Sequence, residues 1–306
     1  MTTATTPTLT PFAPLAGIRV LSLALNLPGP AALMRCRAMG AECVKFEPPA
    51  APGRSADPMH VYAPAAYDGM HEGVTHVRGD LKTAEGSARL EGELARTDVL
   101  ITSFRPSALD KLGLGWEALH ARHPRLSMVT IVGAPGARAE EPGHDLTYLA
   151  ESGLVTGCEL PPTLYADMAG SLMASEAVLQ VLLQRGAQGT GARIEVALSA
   201  AAQYLALPRQ WGLTQPEGSV GGAHAGYRVY PCLDGRVALA ALEPHFAQRL
   251  CLAAGLDAEA GNAMFRSSTH AAVASFLAGL DCDALEALAR QHDVPLHVLR
   301  DEGRPE

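Results

Sequence analysis

The chain has 306 residues, 48% of them hydrophobic and 18% charged, and a net charge of −8, which is length enough for one large domain or two with a full core and an acidic balance that argues against a general nucleic-acid binder. It shows no apolar run of the roughly 18–20 residues that a membrane span needs and no charged-then-apolar leader, so neither a membrane nor a nucleic acid is an expected partner. The cysteines Cys36, Cys43, Cys158, Cys232, Cys251 and Cys282 form no C-x-x-C pair and no metal spacing; they read as reduced, mostly buried thiols, and the expected compartment is the cytoplasm.

The opening "MTTATTPTLTPFAP" is rich in threonine and proline and reads as a flexible tail over 1–13. "IRVLSLAL" (18–25) is a short apolar run of β-formers, a buried strand, and "NLPGP" breaks it before a helix that ends at Gly40. "ECVKFE" (42–47) is a second strand, "GSARLEGELART" (86–97) a helix, and "DVLITSF" (98–104) a third strand. A helix over 116–124 and a fourth strand over 126–133 follow. Strands that alternate with helix-length connections predict an α/β fold, a Rossmann-like parallel sheet with helices on both faces. The first strand lacks G-x-G-x-x-G; Asn26-Leu27-Pro28-Gly29-Pro30 stands there instead, so the dinucleotide fingerprint is missing. "PGHDLTY" turns a chain into a helix at Gly143-His144-Asp145, and 168–186 is a long apolar helix of small residues stopped by Gly186. A strand and a helix complete a large domain over 14–207. Residues 208–225, rich in glycine and proline, read as a linker. Two strands around Asp234-Gly235, three helices and a last strand "VPLHVL" give a smaller α+β domain and a short C-terminal segment over 226–306.

Taken in order, "PLAGIRVLSL", "GAECVKFEPP", "GDLKTAEG", "DVLITSFRPSALDKLGLGWEAL", "PGHDLTYLAESGL", "LYADMAGSL" and "YPCLDGRVALAALEPHF" resemble the class III CoA-transferase family, also called the CaiB/BaiF family. "FRPSALDKLGLG" and "GHDLTY" are the specific pieces, and "LPGP" and "ALEPHF" resemble the α-methylacyl-CoA racemase branch. The resemblance implies an acyl-CoA substrate, no cofactor beyond the coenzyme A that the substrate carries, and an interlocked homodimer. It implies His144 as one proton carrier, with Asp167 and Glu243 on the other face of the substrate, and Asp145 and Tyr148 around them. The expected reaction is racemisation at the carbon next to the thioester: a proton leaves, an enolate forms, and a proton returns on either face, which needs two proton carriers and donors for the enolate oxygen. The transferase branch uses the aspartate matching Asp167 as a nucleophile instead, and a non-catalytic relative that binds an acyl-CoA is the third reading. Arg105 and Arg78 are the candidate CoA contacts. Arg78 is the basic residue left in "MHEGVTHVRGDLK", where the family carries an Asn- and Arg-rich stretch, and Pro48 stands where an arginine is common. The segment after "VPLHVL" is shorter than in the family.

Each of these residues also has a plainer role. His144 reads alone as a turn residue, Asp145 and Asp167 as helix N-caps, Glu243 as a first-turn partner of a helix dipole, and Arg105 as a surface arginine at a strand end. Their ordered occurrence in one sequence is what favours proton chemistry. His60, His71, His76, His120 and His123 carry no such pattern and read as surface or structural.

Overall fold

The structure is a computed structural model, and it describes residues 12–257 and 262–300. All but the last two residues of the tail expected over 1–13, and the chain after Arg300, lie outside that range. Two compact units divide between Ala206 and Leu207.

In the first unit the elements run β1 (Arg19–Ser22), α1 (Pro28–Ala38), β2 (Glu42–Glu47), α2 (Pro58–Tyr62), α3 (Pro64–Met70), β3 (Thr75–Arg78), α4 (Ala84–Leu94) and β4 (Val99–Thr102). They continue with α5 (Pro106–Lys111), α6 (Trp116–Arg122), β5 (Ser127–Val132), α7 (Asp145–Glu151), α8 (Tyr165–Gln188), β6 (Arg193–Ala197) and α9 (Leu198–Leu205). The six strands pair in parallel in the order β3-β2-β1-β4-β5-β6. Because side chains alternate along a strand, each central strand feeds two cores. Val20, Val99, Ile101, Val129 and Ile131 pack under α1, α7, α8 and α9. Leu21, Leu100 and Met128 pack under α4, α5 and α6. Burial on both faces explains why these strands are continuous apolar runs, and the Rossmann-like parallel sheet expected from the sequence is the fold observed.

Several details differ from the sequence reading. β3 was not anticipated: it is four residues long, with two exposed side chains at its start, and too short to show a period. α2, α3 and α5 each begin with a proline at the first helical position, a sequence signal for a helix start that the reading passed over. α8 begins three residues before Met168 and runs through Gly186 to Gln188; it ends at Gly189, whose φ of +78° is the left-handed cap. It also overturns the expectation that no segment is of span length. Tyr165–Gln188 has 24 residues and holds an 18-residue stretch apolar enough to cross a membrane, by length and composition only. Its Ala174, Ala177, Val178 and Val181 nevertheless sit in the core against the sheet, as in a core helix.

The second unit contains α10 (Leu207–Gln210), β7 (Tyr227–Cys232), β8 (Gly235–Ala240), α11 (Pro244–Ala253), α12 (Ser267–Ala278), α13 (Cys282–His292) and β9 (Leu296–Arg300). β7, β8 and β9 form an antiparallel sheet in that order. Cys232 pairs with Gly235, so Leu233 and Asp234 form the hairpin turn, one residue earlier than read from the sequence. Tyr230, Val237, Leu239, Leu250, Val273, Leu277, Leu285 and Val298 make this unit's own core.

Candidate active site

The sheet order reverses direction between β1 and β4. At such a switch point the connections leave a crevice beyond the carboxyl ends of the strands. Here the crevice is a cavity of about 170 Å³ lined from the ends of β1, β4 and β5 and from α7, α8 and α9. Its floor is stitched by two hydrogen bonds: the Leu23 amide donates to Ile101 O at 2.8 Å, and the Leu25 amide donates to Ser103 Oγ at 2.9 Å.

His144, Tyr148, Asp167 and Arg105 all line this cavity. His144 is the exposed residue that precedes α7. Thr147 closes the turn, its Oγ1 accepting the His144 amide at 3.1 Å and its own amide donating to His144 O at 2.8 Å. The plain reading of Asp145 as the cap of this helix does not hold. Asp145 is the first helical residue, it is buried, and its Oδ1 accepts the Asp167 amide at 3.0 Å. It therefore ties the start of α8 to the start of α7. Asp167 is not a cap either. It lies in the first turn of α8, where Leu164 is the cap residue. Burial, and then the neighbouring Asp145 charge, push the Asp167 carboxyl up from 3.8 to about 6.

Tyr148 is buried, and burial followed by the Asp167 charge raises its phenol. Its hydroxyl lies where only glycines leave room: a Cβ at Gly133 would come within 2.3 Å of it, and one at Gly143 within 2.5 Å. That explains the glycine before the histidine in "GHDLTY". Arg105, exposed at the start of α5, brings positive charge to the rim, where it works against the rise in the Tyr148 phenol.

The remaining two candidates stand elsewhere. Arg78 ends β3 and lines a separate cavity of about 300 Å³ with Arg54, His60, Tyr67, His71 and His76. One of its guanidinium nitrogens donates to Arg54 O at 2.6 Å. Glu243 belongs to the second unit, exposed as the cap residue of α11, with its carbonyl accepting the Ala247 amide at 2.9 Å.

The sequence reading missed the support behind the cavity. Asn26, on the cavity wall, has a φ of +62°. Its amide donates to Asp57 Oδ1 at 3.0 Å, and the Met59 amide donates to the same oxygen at 3.1 Å. Asp57 Oδ2 pairs with Lys45 Nζ at 3.0 Å, and Lys45 also donates to Ala24 O. Both side chains of this ion pair are fully buried. Burial lowers the Lys45 pKa, while Asp57 works against that. The signal was the lone lysine inside "ECVKFE": a charge in a run otherwise buried on both faces must have a partner.

Comparison with known proteins agrees with the fold and the motifs. The family model described as CoA-transferase family III matches residues 15–303. A probable fatty acyl-CoA transferase of Mycobacterium tuberculosis is 29% identical over 284 residues, covering 81% of this chain and 71% of that protein. An alpha-methylacyl-CoA racemase of Mus musculus is 30% identical over 263 residues, covering 80% of this chain and 66% of the relative. A succinyl-CoA–D-citramalate CoA-transferase of Chloroflexus aurantiacus is 30% identical over 247 residues, covering 74% and 60%. The chain thus matches about two thirds of the length of these relatives. An orthorhombic crystal structure from M. tuberculosis superposes with a TM-score of 0.80 at 25% identity, covering 96% of this chain and 84% of that one. A CaiB/BaiF family protein from Brucella suis superposes at 0.77 and 24% identity, over 95% and 84%, which shows the shared fold. With a family model that spans nearly all of it, this chain belongs to CoA-transferase family III.

Proposed function

We propose that the protein acts on acyl-CoA thioesters and that its reaction is racemisation or epimerisation at the α-carbon of a 2-methylacyl-CoA. The observation that carries the reading is that His144 and Asp167 line one cavity, with Asp167 held near pH 6. A carboxyl that changes protonation close to neutral pH is suited to take and return a proton. In this reading one carrier removes the α-proton, the electron pair of the broken C–H bond delocalises onto the thioester oxygen, and the other carrier delivers a proton to the opposite face. His144 serves one face and Asp167 the other, with Glu243 as the helper of Asp167 in the assembled enzyme. Tyr148 and the amides at the start of α7 are the donors nearest to the developing enolate. Arg105 at the cavity rim is a contact for the CoA phosphates, and Arg78 is a second one at the neighbouring cavity. The working form is a homodimer.

The transferase reading rests on the same Asp167 and on the CoA-transferases among the relatives. There Asp167 attacks the thioester carbonyl and the CoA thiolate leaves; the thiolate then attacks the Asp167 carbonyl of the mixed anhydride, releasing the first carboxylate and leaving an aspartyl-CoA thioester, from which an acceptor carboxylate takes CoA through a second anhydride that frees Asp167. One experiment separates the two. The protein is incubated in deuterated water with a panel of acyl-CoAs, with and without carboxylate acceptors, and read by mass spectrometry. Deuterium at the α-carbon without an acceptor is the expected result. CoA transfer without α-exchange overturns the racemase reading in favour of the transferase, and neither reaction across the panel leaves a binding protein.

A further inference from the structure

The second unit brings together three groups that lie far apart in sequence and take no part in the reaction proposed above. Cys232 ends β7, Asp234 sits in the β7–β8 turn, and Cys282 is the first residue of α13. One ligand atom from each lies within 4.8 Å of the others, the one such group of three among the described residues. We propose that Cys232, Asp234 and Cys282 form a site for a thiophilic divalent cation of the zinc class.

The geometry suits such an ion and differs from that of a disulfide. The two Sγ atoms are 3.8 Å apart. Two thiolates bound at about 2.3 Å to a tetrahedral zinc are separated by about 3.8 Å, whereas a disulfide requires about 2.05 Å. Cys232 Sγ is 3.9 Å from Asp234 Oδ1, somewhat longer than the roughly 3.5 Å that a thiolate and a carboxylate oxygen would keep around the same ion. Closing that difference takes a small rotation of an exposed side chain. The scaffold is already in place. The Cys282 amide donates to Asp234 Oδ1 at 2.8 Å, and the Leu233 amide donates to Leu280 O at 3.0 Å, so the hairpin turn is fixed against the start of α13. An outer hydrogen bond of this kind orients a metal ligand before the ion arrives. Cys282 is fully buried, Cys232 half-buried and Asp234 exposed, which leaves the fourth coordination position to solvent.

The other neighbouring thiols make a useful contrast. Cys36 and Cys43 interact, and both are pushed up to about 12 chiefly by burial, but no carboxylate joins them and Cys43 Sγ is occupied with Leu33 O. Binding displaces protons: one divalent ion and two thiols give two metal–sulfur bonds and two protons released to solvent, with no change of oxidation state. Affinity accordingly rises with pH.

The test uses the full-length, reduced protein titrated with cadmium ion alone, followed by the ultraviolet thiolate-to-cadmium band and by proton release. The expected result is a band that saturates at one equivalent, with two protons released per ion and a raised melting temperature. Cys232→Ser, at the half-buried position, should abolish the saturable band. Asp234→Asn, which keeps an acceptor for the Cys282 amide, should weaken binding by at least about tenfold. Cys158→Ser, at the exposed thiol of the first unit, should change neither. Absence of a saturable band overturns the proposal, as does a band that survives in Cys232→Ser. A Cys232–Cys282 disulfide in protein isolated without reductant, together with no cadmium band after reduction, overturns it in favour of redox chemistry. None of these readouts involves turnover, so the outcome is independent of the proposed reaction.

Discussion

Asp167 carries a cost that can be measured without any substrate. Its carboxyl is raised from 3.8 to about 6 in the fold, so the folded chain holds a proton that the unfolded chain has already released. The sign follows directly. Below about pH 3 both states are protonated and the group contributes nothing. Stability falls as pH rises from about 4 to about 6, and above that the folded state bears the full penalty, on the order of 2–3 kcal/mol. Asp167→Asn should therefore be more stable than the wild type at pH 7 by about 2 kcal/mol, with most of the gain gone at pH 4, as read by urea unfolding at both pH values. In the α-exchange assay the same substitution should slow the reaction without removing any covalent adduct. A wild-type acyl or CoA adduct that disappears in Asp167→Asn would identify the transferase. His144→Ala should leave the melting temperature within a degree or two and lower exchange by a factor of about a hundred to ten thousand. Both residues were legible in the sequence because their motifs are local. Tyr148 was legible as a motif member, but the reason for its place was not, since the fit of its hydroxyl between Gly133 and Gly143 joins two elements.

At the scale of elements, the loop between β1 and α1 shows what a sequence conceals. Its turn residues were visible as "NLPGP", yet the left-handed conformation of Asn26 is held from Asp57 and Lys45, 31 residues away at Asp57. A helical or strand period cannot report a contact of that span. Breaking a buried ion pair leaves an uncompensated charge and costs about 3–5 kcal/mol. We therefore expect Asp57→Ala to destabilise the protein by that amount, and Lys45→Met by a similar amount. The double substitution should cost clearly less than the sum, while remaining above zero because the Asn26 and Met59 amides lose their acceptor. A double-mutant cycle by denaturant unfolding checks this, and strict additivity would show that the two charges do not interact. The ends of α8 teach a related lesson. Gly186 looked like a stop, but the backbone stays helical there and turns left-handed only at Gly189. β3 was hidden for another reason: a four-residue strand has too few positions to establish a period.

For the whole molecule, the exposed face of α8 is where the proposed homodimer can be tested. Leu164, Tyr165, Met168, Leu172 and Leu183 are 41–77% exposed along it or at its start, and Tyr204 of the first unit and Trp211 and Leu213 of the second are exposed as well. A proposed homodimer would cover such residues, and obligate interfaces of that kind bury upwards of about 2,000 Å². Unfolding should then depend on protein concentration, the midpoint rising as concentration rises. A monomeric mass at micromolar concentration, or a concentration-independent midpoint, would refute the dimer. The alternation of strand and helix was enough to read the parallel sheet from sequence, because the central strands β1, β4 and β5 are buried on both faces.

The central position of β1 also governs how the chain must fold. Arg19 reaches its β4-side partner Asp98 across 79 residues, and β5 joins β6 through Ser127 and Ala192, 65 residues apart. Such pairings close long loops before any contact repays the lost chain entropy, which makes folding slow. During synthesis β1 and β2 can be made early, yet β1 remains an open edge until the segment near Val99 has left the ribosome, and β5 waits longer for β6. At about 5–20 residues per second, that interval is on the order of several seconds. Over that time the nascent chain exposes an unpaired apolar strand, and the cell's holding chaperones have their natural moment to act.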